Sequence, residues 1–279
     1  MVLWMSKTVG FLLGSSLCAC SGAQIDTGPD EQPRPLCDET NDTRLLVRFD
    51  GSGPEPVEGQ FALASGVQYL YVTGQCEFWV NEQSWFTKHG RLDDAAAKNV
   101  ESFFGFSDLR GMRGTWRTRE CYDASILRVS DGQSTATCLC ECQESGTPGV
   151  LRAVSDGLGE FLQELMAEGA VWDGPMDALI FEEETLEDQE PVSWSDELEL
   201  ADYLTPREAL AQAFETDTLP DGKLVEGRSA ELLRGMIAEY ELAHASRALL
   251  GNPVPALHEG ITYAIYARDR LPIATLDPP

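Results

Sequence analysis

The sequence predicts an α+β fold: a strand-rich, disulfide-stabilised first half packed on a helix-rich second half. Three observations predict it. From residue 37 to about 144, β-branched and aromatic runs are bounded by turn residues. From residue 150 onward, apolar residues recur mainly at helical spacing. All six cysteines past residue 20 fall between Cys37 and Cys142. No Gly/Ser/Pro linker parts the halves, so lobes at 37–149 and 150–279 are expected to pack as one unit.

Each element has a local reason. "RLLVRF" (44–49), "VQYLYV" (67–72) and "CEFWV" (76–80) read as strands. A helix follows over Leu92 to Phe104, with Ala96, Val100, Phe103 and Phe104 at helical spacing. Asp93 is its expected N-cap and Gly105 stands past its end. Two strands are expected near 113–118 and 121–129. Leu151, Val154, Leu158, Phe161, Leu162 and Leu165 then form one apolar helical stripe, ended by Gly169. "DALIFEEE" (177–184) reads as a strand. At Thr205-Pro206-Arg207-Glu208 a helix can begin, with Thr205 capping, Pro206 at the first position and Glu208 reaching back. A long helix runs from about Ser229 to Leu250, with Leu233, Met236, Ile237 and Tyr240 on one face and Gly251 and Pro253 as stops. "ITYAIYA" (261–267) reads as a closing strand.

The cysteines sharpen the first half. An even set at Cys37, Cys76, Cys121, Cys138, Cys140 and Cys142 points to disulfides in an exported chain. On a strand, Cys138, Cys140 and Cys142 would share one face with neighbouring Cα atoms ~6.6 Å apart and parallel Cβ vectors, so they should not pair with one another. Asp131-Gly132 suggests a two-residue hairpin turn, in which Ser130 faces Gln133, Ser125 faces Cys138 and Cys121 faces Cys142. The expected bridges are therefore Cys121–Cys142, with Cys138 and Cys140 joined to Cys37 and Cys76 in either order. A weaker alternative has three thiolates, with His89, holding a metal.

Two cysteines stand apart, in "FLLGSSLCACSGAQ" (11–24). Lys7 is the only early side-chain charge, an apolar run covers Val9 to Leu17, and no acid precedes Asp26. That order is a secretory signal, too short to span a membrane. Leu17-Cys18-Ala19-Cys20 resembles the lipobox of bacterial lipoproteins. The resemblance implies a signal peptide over 1–19, acylation of Cys20 and loss of Cys18 with the signal. Ser21, standing where Asp would suggest inner-membrane retention, implies the outer membrane. Residues 20–36, polar and Pro-rich, would be the tether. The competing expectation is cleavage after Ala23 and release of a soluble, secreted chain beginning at Gln24.

Charge excludes some partners. The 279 residues carry a formal charge of −27, so neither nucleic acid nor an anionic membrane surface is attracted, and contact with a membrane falls to the lipid. Residues 173–221 hold 16 acids against Arg207 and read as a solvated face. "DTLPDG" (217–222) starts like a calcium loop, but Leu219 and Arg228 occupy ligand positions. Arg110, Arg113, Arg117 and Arg119 cluster upstream and are expected to pair with the chain's own acids.

Neither G-x-S-x-G, a Walker loop, H-E-x-x-H nor a dinucleotide fingerprint occurs. Glu241 and His244 match half of a di-iron pattern, better read as a helix-surface pair. His258-Glu259 reads as a loop acid–base pair without a further partner. Trp79, Trp85, Trp116, Tyr69, Tyr71 and Phe78 are assigned to the core ahead of a sugar- or peptide-binding face. The expectation is a lipid-anchored envelope protein with a binding or structural role, a protein or glycan partner, no catalytic or metal residues and no cofactor. The alternatives are an envelope hydrolase using acids among 182–190, and a metal-handling lipoprotein.

Overall fold

A computed structural model describes residues 35–50, 68–117, 125–140, 142, 146–186, 189–216, 222–244 and 252–272. The first sheet has eight strands: β1 (Thr43–Asp50), β2 (Gln68–Thr73), β3 (Glu77–Glu82), β4 (Lys88–Arg91), β5 (Gly114–Arg117), β6 (Ile126–Ser130), β7 (Thr135–Leu139) and β8 (Ala170–Val171). Their spatial order is β5-β7-β6-β1-β2-β3-β4-β8, antiparallel except for the parallel pair β5–β7. Side chains alternate across it. Leu45, Val47, Leu70, Val72, Phe78, Val80, Leu127 and Val129 point to one buried face. Tyr69, Tyr71 and Trp79 point to the other.

Helices cover the first of these faces. The first two are α1 (Asp94–Phe103) and α2 (Phe106–Leu109). α1 is capped as its sequence predicts, because Asp93 Oδ1 accepts from the Ala95 and Ala96 amides at 2.9 and 2.8 Å. Gly105 follows with φ +52°, a value that favours glycine. α3 (Gly149–Glu168) lays Leu151, Val154, Leu158, Leu162 and Leu165 into the same core. The first core thus extends past residue 150, and β8 adds the sheet's last strand.

Five strands form the second sheet: β9 (Met176–Glu182), β10 (Val192–Ser193), β11 (Lys223–Val225), β12 (Val254–His258) and β13 (Ile261–Asp269), in the order β10-β12-β13-β9-β11. Three helices accompany it: α4 (Leu200–Tyr203), α5 (Arg207–Thr216) and α6 (Gly227–Ala243). α6 packs Ala230, Leu233, Met236, Ile237 and Tyr240 on Met176, Ala178, Ile180, Val254 and Ile265. On the opposite face Leu179, Phe181, Ala264 and Tyr266 meet Leu186 and Leu210. β9 is therefore covered on both sides, which explains its unbroken apolar run. The fold is α+β, with the described disulfides in the strand-rich first half and most helices later. No described helix is long and apolar enough to cross a membrane.

Several expectations need correction. His258, read with Glu259 as part of a loop, instead ends β12. Pro255 lies opposite Ala264, and Glu259-Gly260 turns the hairpin with φ values of +51° and +84°. Thr205 is tied to β9, donating its amide to Ile180 O at 2.7 Å and accepting from Ile180 N at 3.4 Å.

The disulfide scheme differs as well. The structure joins Cys37 to Cys76 and Cys138 to Cys142, with Cα separations of 5.1 and 5.7 Å. Cys121–Cys142 and bridges from Cys37 or Cys76 to Cys138 or Cys140 are thereby overturned. There are two physical reasons. The β6–β7 turn has four residues, because Asp131 Oδ1 accepts from the Gln133 and Ser134 amides at 2.9 and 2.7 Å. Ser130 then faces Thr135 and Leu127 faces Cys138, a register two residues from that of the shorter turn. Beyond Leu139 the chain also leaves the strand, with Cys140 at φ +60°. A strand would hold Cys138 and Cys142 about 13 Å apart; the bend brings them into bridging range. Cys140 is disulfide-bonded too. Cys18, Cys20, Arg119, Cys121, residues 217–221 and Leu250 to Gly251 lie outside the described residues.

Candidate functional site

The two sheets meet where buried polar groups gather. The β3–β4 connection starts this seam. Asn81 and Ser84 exchange hydrogen bonds of 2.8 and 2.9 Å across the turn at Gln83. Trp85, 4% exposed, leaves the first sheet and packs into the core of the second. Next comes Thr87, whose amide donates to Asp269 Oδ2 at 2.8 Å. Its hydroxyl lies 2.6 Å from Tyr69 OH, and its carbonyl accepts from the Trp172 amide at 2.9 Å.

Arg234 completes the network from α6. Its Nη2 donates to Asp269 Oδ1 at 2.5 Å and to Gly174 O at 2.8 Å. Arg234 and Asp269 are both buried. Burial raises the Asp269 carboxyl above its ordinary value, opposed by the Arg234 guanidinium and the Thr87 amide. Burial, followed by the Asp269 charge, pushes the Tyr69 phenol up as well. The arrangement holds the β13 end, α6 and the β3–β4 connection to one buried ion pair.

Beside it lies an aromatic layer on the second face of the first sheet. His89 stacks on Trp79 with ring centroids 4.6 Å apart. Trp172 meets both edge-on, at 5.7 Å from Trp79 and 5.1 Å from His89. Tyr71 flanks Trp79 at 5.3 Å, and Leu271 packs against the group. A Cβ at Gly174 would overlap the Trp172 indole folded back on it.

The residues singled out in the sequence are dispersed. Trp79, Trp85, Tyr69, Tyr71 and Phe78 are buried, as assigned to cores, and Trp116 is half-buried at the margin of the first core. Cys138 lies in the helix-covered core, whereas His89 belongs to the aromatic layer, so the two do not form one cluster. No group of three or more potential metal ligands occurs among the described residues. His244 stacks on Tyr240 at 4.5 Å, with Nε2 3.8 Å from Glu190 Oε2. His258 ends β12, its ring edge-on to Trp194 at 6.3 Å. Arg110 lies over the Phe106 ring at 5.0 Å, and Arg113 donates to Ser134 Oγ at 3.0 Å. Of the acids at 182–190, Glu183 accepts from the Thr185 amide and hydroxyl at 3.0 and 2.8 Å.

The seam residues Thr87, Trp172, Arg234 and Asp269 escaped the sequence reading, although two left a signal. Asp269 ends the period-2 series Tyr263, Ile265, Ala267, whose members all enter one core. Arg234 is a charge within the otherwise apolar face of α6. A charge in an apolar register calls for a buried counter-charge. The chain matches no family model, no curated protein and no solved structure.

Proposed function

We propose that this chain is a lipid-anchored protein of the bacterial envelope with a binding role. The observation that carries this reading is Leu17-Cys18-Ala19-Cys20 at the end of a short apolar run. Cys20 takes the acyl chains, and several chains on one residue suffice for stable anchoring. Two further features support it. Disulfides at Cys37–Cys76 and Cys138–Cys142 suit an oxidising compartment outside the cytosol. A charge of −27 is repelled by anionic headgroups, which leaves attachment to the lipid.

The test is fractionation of the full chain and its Cys20→Ala variant in a bacterium with an outer membrane. The wild-type chain is expected in the outer-membrane fraction and Cys20→Ala outside the lipoprotein pool. Equal distribution of the two would end the anchoring reading.

A further inference from the structure

Six buried atoms without a hydrogen-bond partner come from one neighbourhood: Trp79 Nε1, Trp85 Nε1, Trp172 Nε1, His89 Nε2, and Arg234 Nε and Nη1. The rings of Trp79, His89 and Trp172 touch one another. Trp172 and Arg234 meet at Gly174, one by its indole and the other by a 2.8 Å hydrogen bond to the carbonyl. Trp85 lies two residues before Thr87.

The chemistry of these atoms is one-sided. Indole and guanidinium nitrogens only donate, and His89 Nε2 donates in one of its tautomers. The missing partner is therefore an acceptor. An uncompensated buried donor is costly, and six would offset much of the stability of a domain. Around the β13 end Arg234 pairs with Asp269, and Arg268 and Arg270 lie 3.5 and 3.7 Å from Asp177. The indole faces of Trp79 and Trp172 add apolar walls beside the donors.

We propose that the seam is a binding site for a small carboxylate, closed in this structure by Trp172. The unpartnered atoms are enclosed, so a ligand enters only when a side chain moves. Trp172 and His89 are the half-buried rings of the group, and of the two only Trp172 lies outside the strands, just after β8 ends at Val171; Trp79 and Trp85 are each 4% exposed. The Trp172 backbone is held by its amide hydrogen bond to Thr87 O, so moving the indole off Gly174, Trp79 and His89 leaves that bond in place. The carboxylate then accepts from Arg234 and the indole N–H groups, while Asp269 keeps its bonds to Arg234 and Thr87. This inference deepens the binding reading above and is independent of the anchor at Cys20.

The experiment is calorimetric titration of the detergent-solubilised full chain with sodium propionate, inorganic phosphate or chloride at fixed ionic strength. Propionate is expected to bind saturably. Trp172→Phe, which keeps a ring but removes one donor, should weaken binding about tenfold. Trp116→Phe, remote from the seam, and Cys20→Ala should bind as wild type. Three results would overturn the proposal: no saturable binding, leaving the donors to ordered water or ring faces; binding of phosphate but not propionate; or equal effects of Trp172→Phe and Trp116→Phe. Because Cys20→Ala is a separate arm, failure at the seam is distinguishable from failure of the anchor.

Discussion

The two sheets solve the same problem by different means. The first ties its loops covalently. Cys37–Cys76 fastens the segment before β1 to the β2–β3 turn, and Cys138–Cys142 closes the bend after β7. The second sheet has no cysteine in or beyond β9 and relies on packing around one buried Arg234–Asp269 pair. The contrast follows from place. Disulfides constrain segments whose own backbone bonds are few, where the unfolded chain has most freedom to lose. The buried pair instead joins elements far apart in sequence, and Thr87 and Asp269 are 182 residues from each other.

Removing one partner of the seam pair should have the largest effect. Asp269→Ala leaves Arg234 buried without its counter-charge and is expected to cost about 3–5 kcal/mol, read by urea unfolding of the oxidised chain. A loss below about 1 kcal/mol would mean that packing alone holds the seam. Next come the bridges. Replacing Cys37 and Cys76 by Ser opens a 39-residue separation, and chain entropy predicts a loss of about 4 kcal/mol. For Cys138 and Cys142, only four residues apart, the same relation gives about 2 kcal/mol. Equal effects from the two double variants would remove chain entropy as the explanation. Asp93→Ala should cost about 1 kcal/mol through loss of the α1 cap, measured by the thermal midpoint. Arg228→Ala should have no measurable effect, because its partners Glu197 and Glu231 are exposed with it.

Acid separates the regions further. Hydrogen bonds from Arg44 and then Thr40 hold the Asp38 carboxyl down to about 2, against an ordinary value of 3.8. The charged form is thus favoured by folding. Its contribution is complete above pH 3.8 and is lost as pH falls through about 2. Asp269 runs the other way: its raised value makes the folded chain hold the proton more tightly, so its contribution weakens as pH rises through the carboxylate range. Asp38→Asn should flatten the loss of stability in acid, while leaving the seam bonds of Thr87 protected in hydrogen exchange.

Local chemistry was legible in the sequence and distant chemistry was not. The α1 cap, the α3 stripe and the face of α6 follow from residues within a few turns of each other. The bridges were misassigned because one side chain, Asp131, lengthens a turn by two residues and shifts every facing pair beyond it. β12 was missed because proline discourages a strand reading, although β13 and β10 flank it on both sides. At the seam, only the misplaced charges Asp269 and Arg234 gave warning, and nothing in the spacing paired them. Thr87 joins the seam through its amide and carbonyl, which no residue type announces.

The most direct test of the account is the intact mass of the chain taken from native membranes, measured before and after reduction. The expected species begins at acylated Cys20, offers no thiol to an alkylating reagent until reduced, and yields Cys37–Cys76 and Cys138–Cys142 peptides on digestion. An unacylated N-terminus at Gln24, or thiols that alkylate without reduction, would contradict it.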